Sequence, residues 1–487
     1  MAEGPELRWA GKRPLALGPE PAARLSLSLS LGAASGAAPG AAPDQLYCGD
    51  NLEVLGHLLG RHRGGVDLIY LDPPFCSGAE YKRTVALRGD RPASFERVQY
   101  SDNWSEADYL QFMYERLGLC RELLSERGAL FLHCDWHQSH RLRCLLDELF
   151  GAENFQNEII WHYYNKLQGN VGRFAANHDS ILFYAKSRSF RFNRIRERRE
   201  RPVRQIKRVW CADKRAIVNA KDAEGKITYV TATHKTIDDV WRVSMLQPAD
   251  RREAVGYPTQ KPEALLERIL VAASEPGALV LDPFMGSGTT GAVALKLGRR
   301  FIGADRSRSA VHLTLRRLLH TREAIAEHGG AIKNGLDEVV RKPRVDAGLE
   351  VYELGEPQPT AAEARLELCD GRLRIADFRP AALALPGAGA GAGAKIEDWR
   401  ALVDAVYVDL DHDGRVLRPE LIDAPRGREL VRGDYELPAG TGRVAVRIVD
   451  LLGEAWTGVL DPQEPLGSTT MDACVGGPGP CSPPSRS

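Results

Sequence analysis

The sequence predicts an α/β protein with a parallel, helix-covered sheet, an inserted region and a small C-terminal β-rich domain. Three observations carry this. Between about Asp44 and Arg341, short apolar runs alternate with segments of helical length, the rhythm of strands layered by helices. Two of those runs end in a carboxylate and a tight turn: Val66 to Leu71 before Asp72-Pro73-Pro74-Phe75, and Ala278 to Leu281 before Asp282-Pro283-Phe284-Met285-Gly286-Ser287-Gly288-Thr289-Thr290. The rhythm breaks between 165 and 255, and changes again beyond Pro343.

Taken from the N-terminus, residues 1–43 are rich in Ala, Gly, Pro and Ser, too little apolar surface to offset chain entropy, and are expected to form a mobile leader. The Ser/Leu alternation from Leu25 to Leu31 imitates a signal peptide only weakly, because Glu3 and Glu6 stand where one would carry positive charge. The core, 44–342, has candidate strands at Val66 to Leu71, Ala129 to His133, Ala278 to Leu281 and Phe301 to Ala304. Candidate helices are Glu106 to Glu126, Ser139 to Phe150, Pro262 to Ala273, Thr289 to Leu297 and Ser309 to Ala324, the third opened by a proline in its first turn. The insertion, 165–255, holds a basic stretch: from Lys186 to Arg208 there are eleven cations against Glu197 and Glu200, with Phe190, Phe192 and Trp210 interleaved or close by. From 343 to 460 short alternating segments predict a β-rich domain crossed by a flexible Gly/Ala spacer at 386–394, and 461–487 reads as a disordered tail.

Bulk properties narrow the function classes. With 65 basic and 65 acidic residues, any polyanion must be met by a local patch rather than by net charge. Nine scattered cysteines without a CxxC pair point to a reducing cytoplasm, and no apolar run approaches the roughly 20 residues of a membrane helix.

The two carboxylate turns carry the chemistry. An exocyclic amine on a nucleobase is a weak nucleophile because its lone pair is delocalised into the ring; acceptors aimed at its two hydrogens draw the nitrogen toward tetrahedral geometry. The Asp72 carboxylate and the Pro73 carbonyl are suitable acceptors, Pro73 and Pro74 stiffen the backbone that holds them, and Phe75 offers a ring on which an extruded base can stack. The Gly-rich turn at Asp282–Thr290 has the strand-to-helix form in which backbone N–H groups face a ligand, and Asp305 at the end of the next strand stands about where a nucleoside-binding fold puts a ribose acceptor. Together they read as an amine-alkylation site beside a nucleoside-cofactor pocket.

In the order and content of these motifs the chain resembles the β group of DNA aminomethyltransferases, whose target-amine motif precedes the cofactor motif. Tyr47-Cys48-Gly49-Asp50-Asn51, Tyr257-Pro258-Thr259-Gln260-Lys261-Pro262, and Asn177-His178-Asp179 with Ile181 to Lys186 extend the likeness over about Asp44 to Arg317. The resemblance implies a Rossmann-like, S-adenosylmethionine-dependent methyltransferase sheet. It implies that Asp50 meets the cofactor's adenine, Asp305 its ribose, and Asp282, Phe284, Gly286 and Gly288 its methionine part, with Lys261 lining the same pocket. Phe75 stands where the family more often has tyrosine, and Asp305 where glutamate is usual. Asp rather than Ser at position 72 favours N6 of adenine over N4 of cytosine. The stretch Phe131 to Trp161 is similar to modification subunits of type III restriction systems, which implies a restriction or helicase subunit as a partner beside double-stranded DNA and, as a further candidate, a second copy of the chain.

In such enzymes the insertion recognises the target, so Arg194, Arg196, Arg198, Arg199, Lys207 and Arg208 are candidate DNA contacts, able to give binding that falls steeply with salt. Which of them meets a base edge rather than a phosphate is not legible. No metal is expected. His133-Cys134 with His137 and His140 lack a clean paired spacing, and Asp409 to Glu420 matches a calcium loop but sits among β-formers, with Pro419 and Pro425 in the way of an outgoing helix, so a hairpin turned at Asp413-Gly414 is preferred. The reading is in-line methyl transfer to N6 of an adenine flipped out of DNA. The alternatives are an N4-cytosine enzyme on the same scaffold and a DNA-binding relative that has lost turnover.

Overall fold

The computed structural model describes residues 6–15, 24–32, 42–78, 80–89, 94–166, 172–247, 249–250, 253–332, 335–336, 339, 343–345, 347–355, 361–381 and 398–461. Its centre is a sheet of ten strands, numbered in chain order: β1 Leu25–Leu31, β2 Asp44–Cys48, β3 Val66–Leu71, β4 Leu124–Cys134, β5 Phe155–His162, β6 His178–Ala185, β7 Val240–Arg242, β8 Leu279–Asp282, β9 Arg300–Asp305 and β10 Leu349–Leu354. The spatial order is β1-β10-β2-β9-β8-β3-β4-β6-β5-β7. From β10 to β4 every neighbouring pair is parallel, and antiparallel pairs β1/β10, β4/β6 and β6/β5 flank that stretch.

Alternation along the central strands feeds two cores. Leu68 and Tyr70 of β3, with Ala129 and Phe131 of β4, face one side, where helices α4 (Glu263–Ala273), α5 (Thr289–Lys296) and α6 (Arg308–His328) pack through Leu266, Ile269, Val293 and Leu315. Ile69 and Leu71, with Leu130 and Leu132, face the other, against α1 (Asn51–His62), α2 (Glu106–Leu123) and α3 (Ser139–Phe150) through Leu55, Met113, Leu117 and Leu145. With helices on both faces the strands read as near-continuous apolar runs, which is how parallel sheets are buried. This is an α/β, Rossmann-like architecture. The caps are local: Asp50 accepts from Leu52 N at the start of α1, and Ser105 and Ser307 do the same for α2 and α6.

Several expectations shift. The run expected to stay helical to Glu126 ends at Leu123, because Leu124 pairs with Val66 and opens β4. Leu25–Leu31, expected to lie in a mobile leader, is an edge strand of the main sheet: Leu29 and Leu31 are buried, and Ser26 and Ser28 donate to Glu353 O and Val351 O. Its partner strand lies some three hundred residues away, so nothing local marks it. Residues 6–15 also dock, Leu7, Trp9 and Leu15 packing on the α2/α3 face. Within 165–255, β6 and β7 belong to the main sheet, and the excursion reduces to two-stranded ribbons, Arg196–Ile206 with Tyr229–Thr236 and Arg208–Cys211 with Ala216–Asn219. Beyond 343, β10 also joins the main sheet.

The rest of the C-terminal region forms a three-stranded sheet (Glu363–Cys369, Arg372–Arg379, Asp434–Glu436) and a four-stranded sheet (Val403–Asp409, Leu421–Asp423, Val444–Asp450, Ala455–Leu460). Val406, Val446 and Ile448 of the latter pack on the three-stranded sheet, while Ala405, Tyr407, Ala445 and Val449 join the core on the α4–α6 side of the main sheet. The 409–420 connection joins antiparallel strands: Asp409 accepts from Asp411 N and Arg418 N, and Asp413 from Arg415 N and Val416 N, so its carboxylates serve as turn acceptors. The 386–394 spacer and the tail from 462 lie outside the described residues. Among the described residues no helix is long and apolar enough to cross a membrane.

Candidate functional site

Strands β3 and β8 lie side by side and parallel, Leu68 opposite Val280 and Ile69 opposite Leu281. Each ends in one of the two carboxylate turns, so residues two hundred positions apart open at the same sheet edge. From β3 the chain winds to β4 on one side; from β8 it winds to β9 on the other. A crevice forms at such a reversal, outside the carboxyl ends of the strands.

A cavity of about 800 Å3 occupies it, walled by Asp50, Asp72, Asp282, Phe284, Gly286 and Asp305 among others. The Gly-rich turn is held open by its own carboxylates. Asp282 Oδ1 accepts from Phe284 N at 3.0 Å and its Oδ2 from Thr290 Oγ1 at 2.6 Å; burial pushes its carboxyl up to about 7. Asp305 accepts from Gly286 N and Ser307 N at 3.0 and 2.8 Å, and burial raises it to about 6. Gly286 and Gly288 both have positive φ, and a Cβ at Gly286 would stand 3.3 Å from the Tyr257 ring. A side chain there would be strained and would crowd the cradle. Asp50 Oδ1 takes both Leu52 N and Arg116 Nη2 at 2.8 Å, while Arg116 stacks on Phe112; burial lowers the Arg116 guanidinium to about 10.

On the β3 side, Lys261 Nζ donates to Asp72 Oδ2 at 2.5 Å and lies 5.6 Å from the centre of the Phe75 ring. Lys261, expected from the sequence to line a cofactor pocket, walls the 800 Å3 cavity and also pairs with the carboxylate of the first turn. Pro73 is buried and Pro74 walls the cavity. Phe75 turns to a second cavity of about 910 Å3, bounded also by Trp161, Tyr163 and Asp179. The two cavities share Tyr257, Thr259 and Lys261.

Two supports are invisible in the sequence. Asp102, fully buried, accepts from Phe75 N, Cys76 N and Ser77 N at 2.8 to 3.1 Å and so fixes the loop after the prolines, where Cys76 takes φ 55°. Arg116, which orients Asp50, lies 66 positions from it in the chain, beyond any local pattern. A third, His133, is conspicuous in the sequence only as a metal ligand to be discounted. It bridges Tyr70 OH (3.0 Å) and Asp179 Oδ2 (3.1 Å), and Tyr163 OH donates to Asp179 Oδ1. Burial works to raise the Asp179 carboxyl, but the bonds from His133 and Tyr163 and the charge of Lys261 hold it below its ordinary value.

The basic candidates are not brought to these cavities. Arg194 precedes the first ribbon; Arg196 and Arg198 are exposed on it, and Arg199 turns inward to His234 O. Lys207 and Arg208 are exposed at the start of the second ribbon.

Residues 66–316, just over half of the chain, match the N6/N4 DNA methylase family model. The chain belongs to the N6/N4 DNA methylase family. It is similar to the type II methyltransferase M.EcaI of Enterobacter cloacae, 27% identical over 376 residues covering 64% of this chain and 78% of that one. M.HpaI of Haemophilus parainfluenzae, also a type II methyltransferase, is 28% identical over 303 residues, 61% of this chain and 82% of that one. Among solved structures, the M1.HpyAVI–SAM complex aligns at 21% identity and a TM-score of 0.36, covering 56% of this chain and 98% of that one. In this DNA methylase the matched span runs from the first residue of β3 into α6, and so takes in both turns and both ribbons.

Proposed function

We propose that this DNA methylase transfers a methyl group from S-adenosylmethionine to N6 of an adenine flipped out of duplex DNA. The observation that supports it most is the junction of the two cavities: Asp72 and Gly286 wall one, Phe75 walls the other, and Lys261, bonded to Asp72, belongs to both. The first fits the cofactor. Its glycine cradle leaves room for the amino-acid end, while Asp305 and Asp50, each with acceptor capacity beyond its present bonds, suit ribose hydroxyls and a base edge. When bound, S-adenosylmethionine supplies a methyl on a positively charged sulfur.

The chain's own residues do the rest. Phe75 stacks on the flipped base in the second cavity, and Asp72 Oδ and the Pro73 carbonyl accept the two amine hydrogens. The nitrogen lone pair is thereby turned toward the first cavity. When the amine is methylated, the Asp72 carboxylate would take the surplus amine proton. Asp102 keeps this loop rigid, so rate comes from positioning. The exposed cations of the ribbons, Arg198, Arg204, Lys207 and Arg208 among them, supply phosphate contacts.

The test is to incubate the protein with labelled S-adenosylmethionine and mixed-sequence DNA, then digest to nucleosides. Labelled N6-methyladenine is expected. N4-methylcytosine would replace this reading with the cytosine one, and DNA binding without label would leave a binding protein only. Whether a restriction subunit accompanies the chain is decided by co-purification; the relatives named above are type II methyltransferases, and a type III partner stays an expectation of the sequence.

A further inference from the structure

The turn Asp450–Glu454 joins two C-terminal strands and sits on the first turn of α6. It is tightly made: Asp450 Oδ1 accepts from Leu452 N and Glu454 N at 2.8 and 2.9 Å, and Asp450 N donates to Glu454 O. Gly453 has φ +82°, and a Cβ on it would stand 2.6 Å from Ser309 Cα, so the turn lies against the helix backbone at a distance only glycine allows. Leu452, 4% exposed, packs with Val85, Leu87 and Leu402. Both Leu452 and Glu454 wall the 800 Å3 cavity, on the stretch that also presents Asp305 and Ser307 to Ser309. A second link runs beside it: Arg447 pairs with Glu353 at 3.1 Å, and Glu353 with Arg308 at 3.0 Å, Arg308 being itself part of the cavity wall.

We infer that the C-terminal β domain completes the cofactor site: Glu454 accepts a hydrogen bond from the nucleoside end of S-adenosylmethionine, and Leu452 closes that end against water. The inference rests on reading the cavity as the cofactor site. The nucleoside end is named because the turn is seated on the segment after Asp305, the residue placed at the ribose. A carboxylate offers acceptors only, and a nucleoside answers with hydroxyl and amino hydrogens. Both residues come from a different sheet and lie far along the chain from Asp305, so no local spacing ties them to this cavity.

Calorimetric titration of the full-length protein with S-adenosylmethionine and with S-adenosylhomocysteine tests this. The two share a nucleoside and differ in charge at sulfur. Glu454→Ala is expected to weaken both by about tenfold, the scale of one missing charged hydrogen bond, with the melting temperature of the free protein unchanged; Glu454→Gln, which keeps one acceptor, should weaken them less. Leu452→Ala should weaken both as well. Wild-type affinity for both ligands in a folded Glu454→Ala protein would overturn the inference, and so would a weakening confined to S-adenosylmethionine, which would put Glu454 at the sulfur. A wild-type protein that binds neither ligand would overturn the cavity reading itself.

Discussion

The Asp72–Lys261 pair shows how a single contact joins two sites. Asp72 aims one oxygen at a cation from the loop before α4, and the same cation bounds both cavities. Asp72→Ala is expected to lower methyl transfer on the order of a thousandfold, as loss of a preorganised acceptor does, while calorimetry finds cofactor binding largely kept; retained turnover would remove Asp72 from the mechanism. Asp282 predicts a trade of stability for function. Its folded carboxyl titrates near 7 against about 4 in the unfolded chain. Between those values the folded state holds a proton the unfolded state lacks, so this group's contribution falls as pH rises through that window. Asp282→Asn should therefore raise the melting temperature of the ligand-free protein at pH 8 more than at pH 5, and an equal shift at both would contradict the assignment. Asp102→Ala strands three backbone N–H groups and should cost about 3 kcal/mol in chemical denaturation, with slower transfer besides. Asp72, Asp282 and Asp305 are legible in the sequence because turn chemistry is local. Asp102 and Arg116 are not, because they meet their partners only across the fold.

At the scale of elements, the ribbons of the insertion are the clearest departure from the sequence reading. A basic run gives no period from which to tell a loop from a strand exposed on both faces. In the structure it becomes two-stranded ribbons, with Trp210 directly across from Ile217, 66% and 65% exposed. Two strands alone have no core, so these ribbons take their shape from the body that carries them: Glu197 is tied to Arg268 and Lys235 at the base. Beyond that anchor Arg198, Lys207 and Arg208 are exposed. Replacing Arg198 and Arg208 with alanine should reduce the slope of log affinity for DNA against log salt by about two, one unit for each phosphate left without its cation. Cofactor affinity measured without DNA should not move. An unchanged slope would take the ribbons out of the DNA interface. The strand β1 teaches the complementary lesson: its Ser/Leu alternation is a clean two-residue period, yet alone it cannot be told from a leader until β10 supplies the other half of the ladder.

For the whole molecule, the C-terminal domain is built into the catalytic body. Asp404 on its first central strand receives Arg88, from the connection between the hairpin strands Glu80–Ala86 and Ser94–Ser101, together with His312 and Arg316 from α6. Removing one partner of such a buried set leaves the others uncompensated, so Asp404→Ala should cost about 3 to 5 kcal/mol, read as a lower denaturation midpoint; a cost under about 1 kcal/mol, the value of an exposed pair, would mean the domains are not locked here. By itself the sequence determined the α/β class, the approximate course of most helices, and the two carboxylate turns, whose residue types suggest an amine acceptor and a nucleoside pocket. Those signals act over a few residues, through backbone geometry and side-chain periodicity, and survive in any tertiary setting. Only the tertiary structure decided that the turns share one cleft, that Lys261 spans two cavities, and that a turn from the last domain walls the first of them. Such meetings depend on which strands pair and which way the sheet winds, and pairing across hundreds of residues is selected by the burial of whole faces, for which no short stretch of chain carries a sign.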